Sequence, residues 1–189
     1  MPIFGVTASS NMSTKLTDFY QIATTTLTGN QLQIDFSNIP QTYTHLQLRA
    51  FVRNSEATTD SETTFRFNDD SGANYSDHQL RGYGTAIISN ATANRTKGRA
   101  GYNTGSTTTS NTFGVWIMDI LDYTNTNKFK TTKTLCGYDN NGTNFSGVYL
   151  ISANWRSTSA VTKISLTGDN QAGRNFVQYS RFDLYGVKA

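Results

Sequence analysis

The chain has 189 residues, of which 15% are charged, and its formal net charge is +3. This length suits one domain with a substantial core. The basic residues are scattered, whereas a nucleic-acid-binding surface usually shows a stripe or cluster of Lys and Arg. No stretch approaches the ~20 consecutive apolar residues that cross a bilayer. We therefore expect neither nucleic acid nor a membrane as a partner.

The composition is typical of an all-β protein. Aromatic residues make up 12% of the chain, and Thr, Ser, Asn and Gly dominate the remainder. Thr is β-branched and fits a pleated surface, whereas Asn, Ser and Gly favour turns. No amphipathic helical pattern is present. We therefore predict a jelly-roll-like antiparallel β-sandwich over residues 19–189, preceded by an N-terminal arm or linker over residues 1–18.

The N-terminal segment differs from the rest of the chain. Pro2, Ile3, Phe4 and Val6 form a short apolar patch, and a polar stretch follows. One interpretation is an edge strand with a linker, and the other is an arm that docks on a neighbouring subunit. A secretory signal would need a basic segment and a longer apolar run. We therefore expect synthesis in a reducing cytoplasm.

Residues 34–53 organise the strands around them. From Leu46 to Val52, apolar residues alternate with polar ones, as in a strand with one face in a core and one in water. Pro40 lacks an N–H and does not fit inside a paired strand, so it belongs at a corner. We interpret the stretch as a central strand pair in which the chain crosses from one sheet to the other.

Further alternating runs, separated by turns rich in Asn, Asp and Gly, predict a succession of short strands. The predicted strands span residues 20–27, 31–37, 45–53, 63–68, 77–83, 86–89, 112–121, 133–138, 147–155, 161–167 and 176–187. A core of roughly eight strands with some additional ones fits a jelly roll.

Two of these runs, residues 113–121 and 147–155, are apolar on both faces. A two-layer sandwich normally exposes one face of each strand to water. Exposed apolar patches beyond a few hundred Å² tend to mark interfaces. We therefore expect copies of the chain to associate, most simply as a homotrimer with three-fold symmetry.

Residues 90–110 are predicted to form one long polar loop. Loops of this length are usually functional or disordered. We expect it to contact a neighbouring subunit or an outside ligand, with Arg95, Lys97, Arg99 and Tyr102 as candidate residues. Alternatively, the same loop covers the strands that are apolar on both faces.

Catalytic motifs are missing from the sequence. His45 lies on the polar face of its strand and His78 follows a loop, but no nucleophile elbow, zinc-ligand spacing or phosphate-binding glycine loop occurs. Cys136 lies in a predicted strand, where a buried, inert thiol is expected. The carboxylates near strands are Asp119, Asp122 and Asp183. We expect no enzymatic activity and no cofactor.

Two ligand hypotheses come from the loops. The acidic turn at residues 68–77, with Asp69 and Asp70, offers oxygen atoms of the kind that calcium prefers, and a plain tight turn is the alternative. Aromatic residues beside loops either stack on the sugar rings of a glycan or cap the core and keep their hydroxyls in water. These residues are Tyr75, Tyr83, Tyr102, Tyr123, Phe129, Tyr138 and Tyr149.

Several segments resemble a module found in virion proteins of tailed bacteriophages. The segments are residues 36–49, 66–76, 119–131, 155–158 and 175–186, and the resemblance extends from residue 18 to the C terminus. Such modules occur at the ends of tail fibres and as small stand-alone virion proteins, and most are known only as structural. The resemblance implies a β-sandwich and a trimer, and it implies no catalytic residues.

The segment before the resembling module is short and lacks the long stalk of a tail fibre. We therefore expect a stand-alone head decoration (cement) protein, made in the bacterial cytoplasm and located in the virion. Its partners would be the major capsid protein and copies of itself. The first alternative is a tail-fibre or receptor-binding protein that recognises a host surface glycan. The second is an enzyme that degrades such a glycan.

Overall fold

The computed structural model describes residues 18–141, 146–168 and 174–188, and these ranges contain strands and no helix. Their twelve strands are β1 (Phe19–Thr26), β2 (Gln33–Phe36), β3 (His45–Val52), β4 (Asp60–Phe67), β5 (Tyr75–Tyr83), β6 (Ala86–Arg95), β7 (Gly98–Thr104), β8 (Gly114–Ile120), β9 (Lys130–Tyr138), β10 (Gly147–Trp155), β11 (Ile164–Gly168) and β12 (Arg181–Val187). They form two antiparallel sheets, so the prediction of an all-β sandwich is confirmed.

The topology is that of a jelly roll. The larger sheet has the order β1-β12-β3-β8-β9-β10-β5-β6, and the smaller one has the order β2-β11-β4-β7. Four nested antiparallel pairs, β1 with β12, β2 with β11, β3 with β8 and β4 with β7, alternate between the sheets. This nesting is what results when one long antiparallel hairpin rolls up into two layers.

The four remaining strands are two inserted hairpins. The β5–β6 hairpin follows β4 and precedes β7, and the β9–β10 hairpin follows β8 and precedes β11. They pair with each other and with β8, and so extend the larger sheet from four strands to eight. The smaller sheet has no matching extension in the described residues, since it ends at β7.

The stretch at residues 34–53 crosses between the sheets, as predicted. It contains β2 in the smaller sheet and β3 in the larger one, and Pro40 lies between them. The prediction of a central strand pair is wrong, because β2 is an edge strand that pairs with β11, whereas β3 pairs with β12 and β8. Alternation shows which side of a strand faces the core, but it does not identify the neighbouring strand.

Aromatic side chains fill much of the space between the sheets. Trp116 and Phe182 from the larger sheet are fully buried, as are Phe65 and Phe67 from the smaller one. The rings of Phe65 and Phe67 lie 4.6 Å apart, and Phe176 meets Phe182 edge to face at 4.9 Å. Such pairs add to the free energy gained by burying their apolar area.

The predicted strands overlap eleven of these twelve. The missed strand is β7, whose sequence GRAGYNT lacks an alternation of large apolar residues. Small residues suit this position because β7 lies close to the core aromatics. A Cβ atom at Gly98 would lie 2.3 Å from the Cζ atom of Phe65.

One lysine at the start of β9 is buried. Lys130 has no exposed surface, and its ammonium donates to three main-chain carbonyls: those of Asn125 at 2.6 Å, Lys128 at 2.9 Å and Thr158 at 3.2 Å. Burial lowers the pKa of this ammonium. The side chain therefore joins the loop before β9 to the loop after β10.

The substitution Lys130→Met should lower the free energy of unfolding by about 2–4 kcal/mol, because three main-chain carbonyls lose the buried donor that they share. Urea unfolding at neutral pH would measure the loss. The control is Lys128→Met, which removes only an exposed ion pair with Asp122 and should cost less than about 1 kcal/mol. Equal losses in the two variants would contradict the structural role of Lys130.

Candidate interaction surface

The outer surface of the larger sheet carries a continuous group of exposed apolar side chains. In one row across the strands, Ile117, Leu135, Leu150 and Leu80 are direct neighbours on β8, β9, β10 and β5. The adjacent row contains Phe51, Val115, Val148 and Ile87. We call these eight residues the apolar face. Each of them exposes between 44% and 83% of its surface.

Strands β5 and β9 bury polar side chains in the core and expose leucine side chains to solvent. On β9, Thr132 and Thr134 point inward and are buried, whereas Leu135 points outward. On β5, Asp77 and Gln79 are buried, and Leu80 is half exposed. Because a shift of one residue would exchange the two faces of a strand, this orientation is a specific choice that places the leucines outside.

The relief of the apolar face alternates between projections and hollows. Across the sheet, Val115, Gly137, Val148, Gly82 and Ile87 are successive neighbours. A Cβ atom at Gly82 would have no atom within 4 Å. The two glycines, together with Tyr138, Asp139 and Ser146, line a recess of about 560 Å³ beside Val148.

Charged residues of both signs border the apolar face. On one side, Lys133 lies 4.0 Å from Asp119, to which Gln47 also donates a hydrogen bond at 2.9 Å. On the other side, Asp183 pairs with Arg181 at 2.9 Å. The surface is therefore an apolar centre with a mixed-charge border, which is the usual anatomy of a protein interface.

The prediction that residues 90–110 form one loop is wrong, since β6 and β7 occupy most of this segment. The expectation that the loop covers the apolar strands fails with it. The turn after β7 lacks regular structure, and the guanidinium of Arg53 holds it. Arg53 donates to the carbonyls of Ser106, Thr108, Thr109 and Thr112 and to the hydroxyl of Thr108.

Two of the four predicted contact residues lie between the sheets. Arg95 pairs with Glu62 and with Asp77, the latter at 2.7 Å. Arg99 lies 3.1 Å from Glu62 and 3.2 Å from Asp77. Burial opposes the charge on Arg95, but the two carboxylates raise its pKa. We call Glu62, Asp77, Arg95 and Arg99 the buried quartet, and it ties the β5–β6 hairpin to the smaller sheet.

The other two predicted contact residues are half-buried. Lys97 donates to the hydroxyl of Thr167 at 3.2 Å, and burial lowers the pKa of its ammonium. Tyr102 stacks on Tyr149 with ring centroids 4.5 Å apart. The four residues therefore do not come together as an exposed contact loop.

The proposed calcium ligands already bind protein donors. Asp69 pairs with Lys163 at 2.8 Å, which lowers the pKa of its carboxyl. Burial opposes the charge on Asp70, but hydrogen bonds from the indole of Trp155 at 2.7 Å and the amide of Asn74 at 2.9 Å lower its pKa. In the described ranges, no group of three or more His, Cys, Asp or Glu side chains is placed to hold a metal.

Most of the aromatic residues considered for glycan binding lie inside the sandwich. Tyr75, Tyr123, Tyr138 and Tyr149 are buried, Tyr83 and Tyr102 are half-buried, and Phe129 is exposed. The hydroxyls of Tyr138 and Tyr149 lie 3.2 Å apart. The buried rings therefore belong to the core, as the alternative interpretation expected, but the hydroxyls of Tyr138 and Tyr149 bond to each other instead of staying in water.

The remaining chemical candidates lie apart from one another. The Nδ1 atom of His45 accepts a hydrogen bond from the main-chain N–H of Asp122 at 3.0 Å. His78 lies on the outer surface of the larger sheet beside Ser152. Cys136 is buried, and burial raises the pKa of its thiol to about 12, so the thiolate is disfavoured.

The predicted docking residues Pro2, Ile3, Phe4 and Val6 lie outside the described residues. Within the described part of the chain, no helix has the length and apolarity needed to cross a membrane. The apolar face was predicted only in part. Strands that are apolar on both faces indicated it for β8 and β10, but Leu80, Leu135 and Ile87 were missed, because β5, β6 and β9 are largely polar.

Comparisons with known proteins do not assign this chain to a family. No family model matches it, no curated protein matches it, and no solved structure matches it. The interpretation of its function therefore rests on the surface described above.

Proposed function

We propose that this protein is a structural component of a tailed-bacteriophage particle, namely a decoration (cement) protein that binds between capsid subunits and stabilises the head. The observation that carries the proposal is the apolar face, because a surface of this kind is unfavourable in water unless another protein covers it. In this proposal the chain acts by binding rather than by catalysis, in the virion, with the major capsid protein and copies of itself as partners.

The architecture supports a role in assembly. The core between the two sheets draws on the jelly-roll strands and also on the inserted hairpins, whose Tyr75, Tyr149 and Trp155 are buried in it. Seven of the eight residues of the apolar face lie on β8 and the two inserted hairpins, namely Val115, Ile117, Leu135, Val148, Leu150, Leu80 and Ile87. The insertions thus supply part of the core and most of this outer surface.

The N-terminal segment provides the second contact in this proposal. It precedes β1, which is an edge strand of the larger sheet. We propose that Pro2, Ile3, Phe4 and Val6 dock on the capsid, since an extended segment can add to a sheet edge through main-chain hydrogen bonds. Several arms acting together would make weak contacts strong.

The location of the protein on the particle tests this proposal. Particles carrying a tagged copy should show extra density distributed over the whole head when they are imaged by electron microscopy. Particles that lack the protein should release their genome at a lower temperature, or at a lower concentration of chelator, than decorated particles do. Density confined to a single vertex would overturn the head assignment and support the tail.

Deleting residues 2–13 should weaken the affinity for undecorated capsids by more than about 100-fold, because the docking contacts of every copy are lost together. The deletion should leave the unfolding transition unchanged, since β1 begins at Phe19. Sedimentation of protein with capsids and circular dichroism would measure the two effects. A truncated protein that unfolds would contradict the arm and place the segment in the core.

A tail protein that recognises a host glycan is the second candidate. The observation that favours it is the recess beside Val148, where Asp139 and Ser146 offer hydrogen-bonding groups and Gly82 and Gly137 leave the backbone accessible. Glycan-array binding that is lost on Asp139→Ala would support this role.

A further inference from the structure

We propose that the apolar face binds the same face of a second copy of this chain. This inference rests on the proposed structural function and names the partner of one surface. It concerns the residues Phe51, Leu80, Ile87, Val115, Ile117, Leu135, Val148 and Leu150.

The size of the apolar face matches what a stable pair of proteins needs. Eight large side chains, each about half exposed, offer roughly 700 Å² of apolar surface per copy, close to the ~800 Å² that each partner contributes to a standard interface. The N-terminal segment is a less suitable occupant, because Ile3, Phe4 and Val6 are too few to cover residues on six strands.

The border of the apolar face suits a copy of itself. Lys133 and Asp119 lie side by side, and so do Arg181 and Asp183. A border that carries both signs in adjacent positions does not repel its own copy, and each charge has an opposite charge within reach across a two-fold axis. A strongly acidic or basic partner would instead favour a border of one sign.

The shape of the apolar face is complementary to the same face of a second copy. Val148 exposes 62% of its surface and stands beside the hollow at Gly82, where a Cβ atom would have no atom within 4 Å. In a two-fold pair, Val148 of each copy enters a hollow of the other, as a projection enters a gap in a packed core. Face-to-face contact of this kind closes at two copies, whereas a three-fold ring needs this face to meet a different surface of the next copy.

The mass of the purified protein in solution tests the inference. Light scattering after gel filtration, at micromolar concentration, should give twice the protomer mass for the full chain. Leu135→Lys places an ammonium at the centre of the face and should weaken association by roughly 100-fold. Leu121→Lys is the matched control, since Leu121 is 55% exposed and Leu135 is 56% exposed, but Leu121 lies outside the apolar face.

Filling a hollow is a sharper test, because it makes the face more apolar. Gly82→Leu introduces a side chain where a Cβ has open space, so the fold should be retained with an unchanged or higher unfolding midpoint. Self-association should nevertheless be lost, because the leucine blocks the hollow. Gly29→Leu is the control, since Gly29 also has open space around it and lies in the turn after β1.

Several outcomes would overturn the inference. These are a monomeric full chain, a mass of three protomers, or a dimer that survives both Leu135→Lys and Gly82→Leu. A chain that becomes dimeric only after deletion of residues 2–17 would show that the N-terminal segment covers the face instead. Capsid binding separates this inference from the proposed function: a monomer that still decorates capsids refutes only the pairing, and a dimer that never binds them refutes only the decoration role.

Discussion

Replacing Asp77 by asparagine should lower the free energy of unfolding by about 3–5 kcal/mol, because it leaves an uncompensated positive charge between the sheets. The Asp77 side chain has no exposed surface, and its two oxygens face Arg95 at 2.7 Å and Arg99 at 3.2 Å. With Glu62, the buried quartet has no net charge, so the loss of one carboxylate unbalances it. Chemical denaturation at pH 7 would measure the effect.

The matched control is Asp69→Asn, which removes a carboxylate from a pair with Lys163 that is largely exposed. It should cost far less than Asp77→Asn, because water screens this exposed pair. Combining Asp77→Asn with Arg99→Gln restores neutrality, and the double variant should be more stable than the sum of the two single effects by about 1–3 kcal/mol. Additive effects, or a cost for Asp77→Asn no larger than the control, would contradict a coupled quartet.

The same substitution should also affect the apolar face. Asp77 lies on β5, three residues from Leu80, and its partner Arg95 ends β6. In hydrogen exchange, Asp77→Asn should reduce amide protection in β5 and β6 before it reduces protection in β3 and β8, since local openings follow the contacts that are weakened. Self-association should weaken in parallel, because Leu80 and Ile87 lie on these two strands.

Raising the pH above about 10 should unfold the protein steeply. Burial raises the pKa of the hydroxyls of Tyr75, Tyr138 and Tyr149 above the ordinary value of 10.0. An unfolded tyrosine releases its proton near pH 10, whereas the native tyrosine retains it. Above pH 10 the native state therefore binds more protons than the unfolded state. The free energy of unfolding keeps its full value below pH 10. Above pH 10 it falls by about 1.4 kcal/mol per pH unit for each tyrosine.

Stability measured by urea unfolding at intervals between pH 8 and pH 11.5 would check this dependence. The Cys136 thiol contributes in the same direction from a lower pH, since burial raises its pKa from 9.0 to about 12. Tyr149→Phe removes one titrating hydroxyl, so the fall in stability above pH 10 should become less steep. A stability that stays flat up to pH 11 would mean that these hydroxyls titrate normally in the native state.

The inserted hairpins give this jelly roll its candidate function. The insertions β5, β6, β9 and β10 widen only the larger sheet. Their outer side carries most of the apolar face. On β5 and β9, polar residues such as Asp77 and Thr134 point inward while Leu80 and Leu135 point outward. This is the reverse of an ordinary sandwich strand, which is why we assign the outer side to a protein partner.

The phage-virion resemblance that we expect from the sequence and the apolar face support the proposed function separately. The resemblance depends on sequence segments that lie mostly in turns and strands of the jelly roll, such as residues 36–49 and 175–186. The apolar face depends on the orientation of side chains on the insertions. Imaging of the particle tests the first argument and the mass in solution tests the second, so either can fail alone.

The amino-acid sequence by itself determined the class of the fold and most of its strands. Alternation marked β3 because Leu46, Leu48, Ala50 and Val52 recur at every second position, and Pro40 marked a corner because it has no N–H to donate. These signals are local, since they depend on neighbours along the chain. They also identified β8 and β10 as strands with two apolar faces, and so indicated part of the apolar face.

Only the tertiary structure decided which strands are neighbours and which way their side chains point. Arg95 and Arg99 are charged, and the sequence placed them in an exposed loop. The fold brings Glu62 and Asp77, from two other strands, to within ion-pair distance, so all four can be buried. Leu135 lies between polar residues, and its exposure follows from the pairing of β9 with β8 and β10. Pairing between distant segments leaves no periodic signal in the chain, and for this reason the interaction surface became visible only in three dimensions.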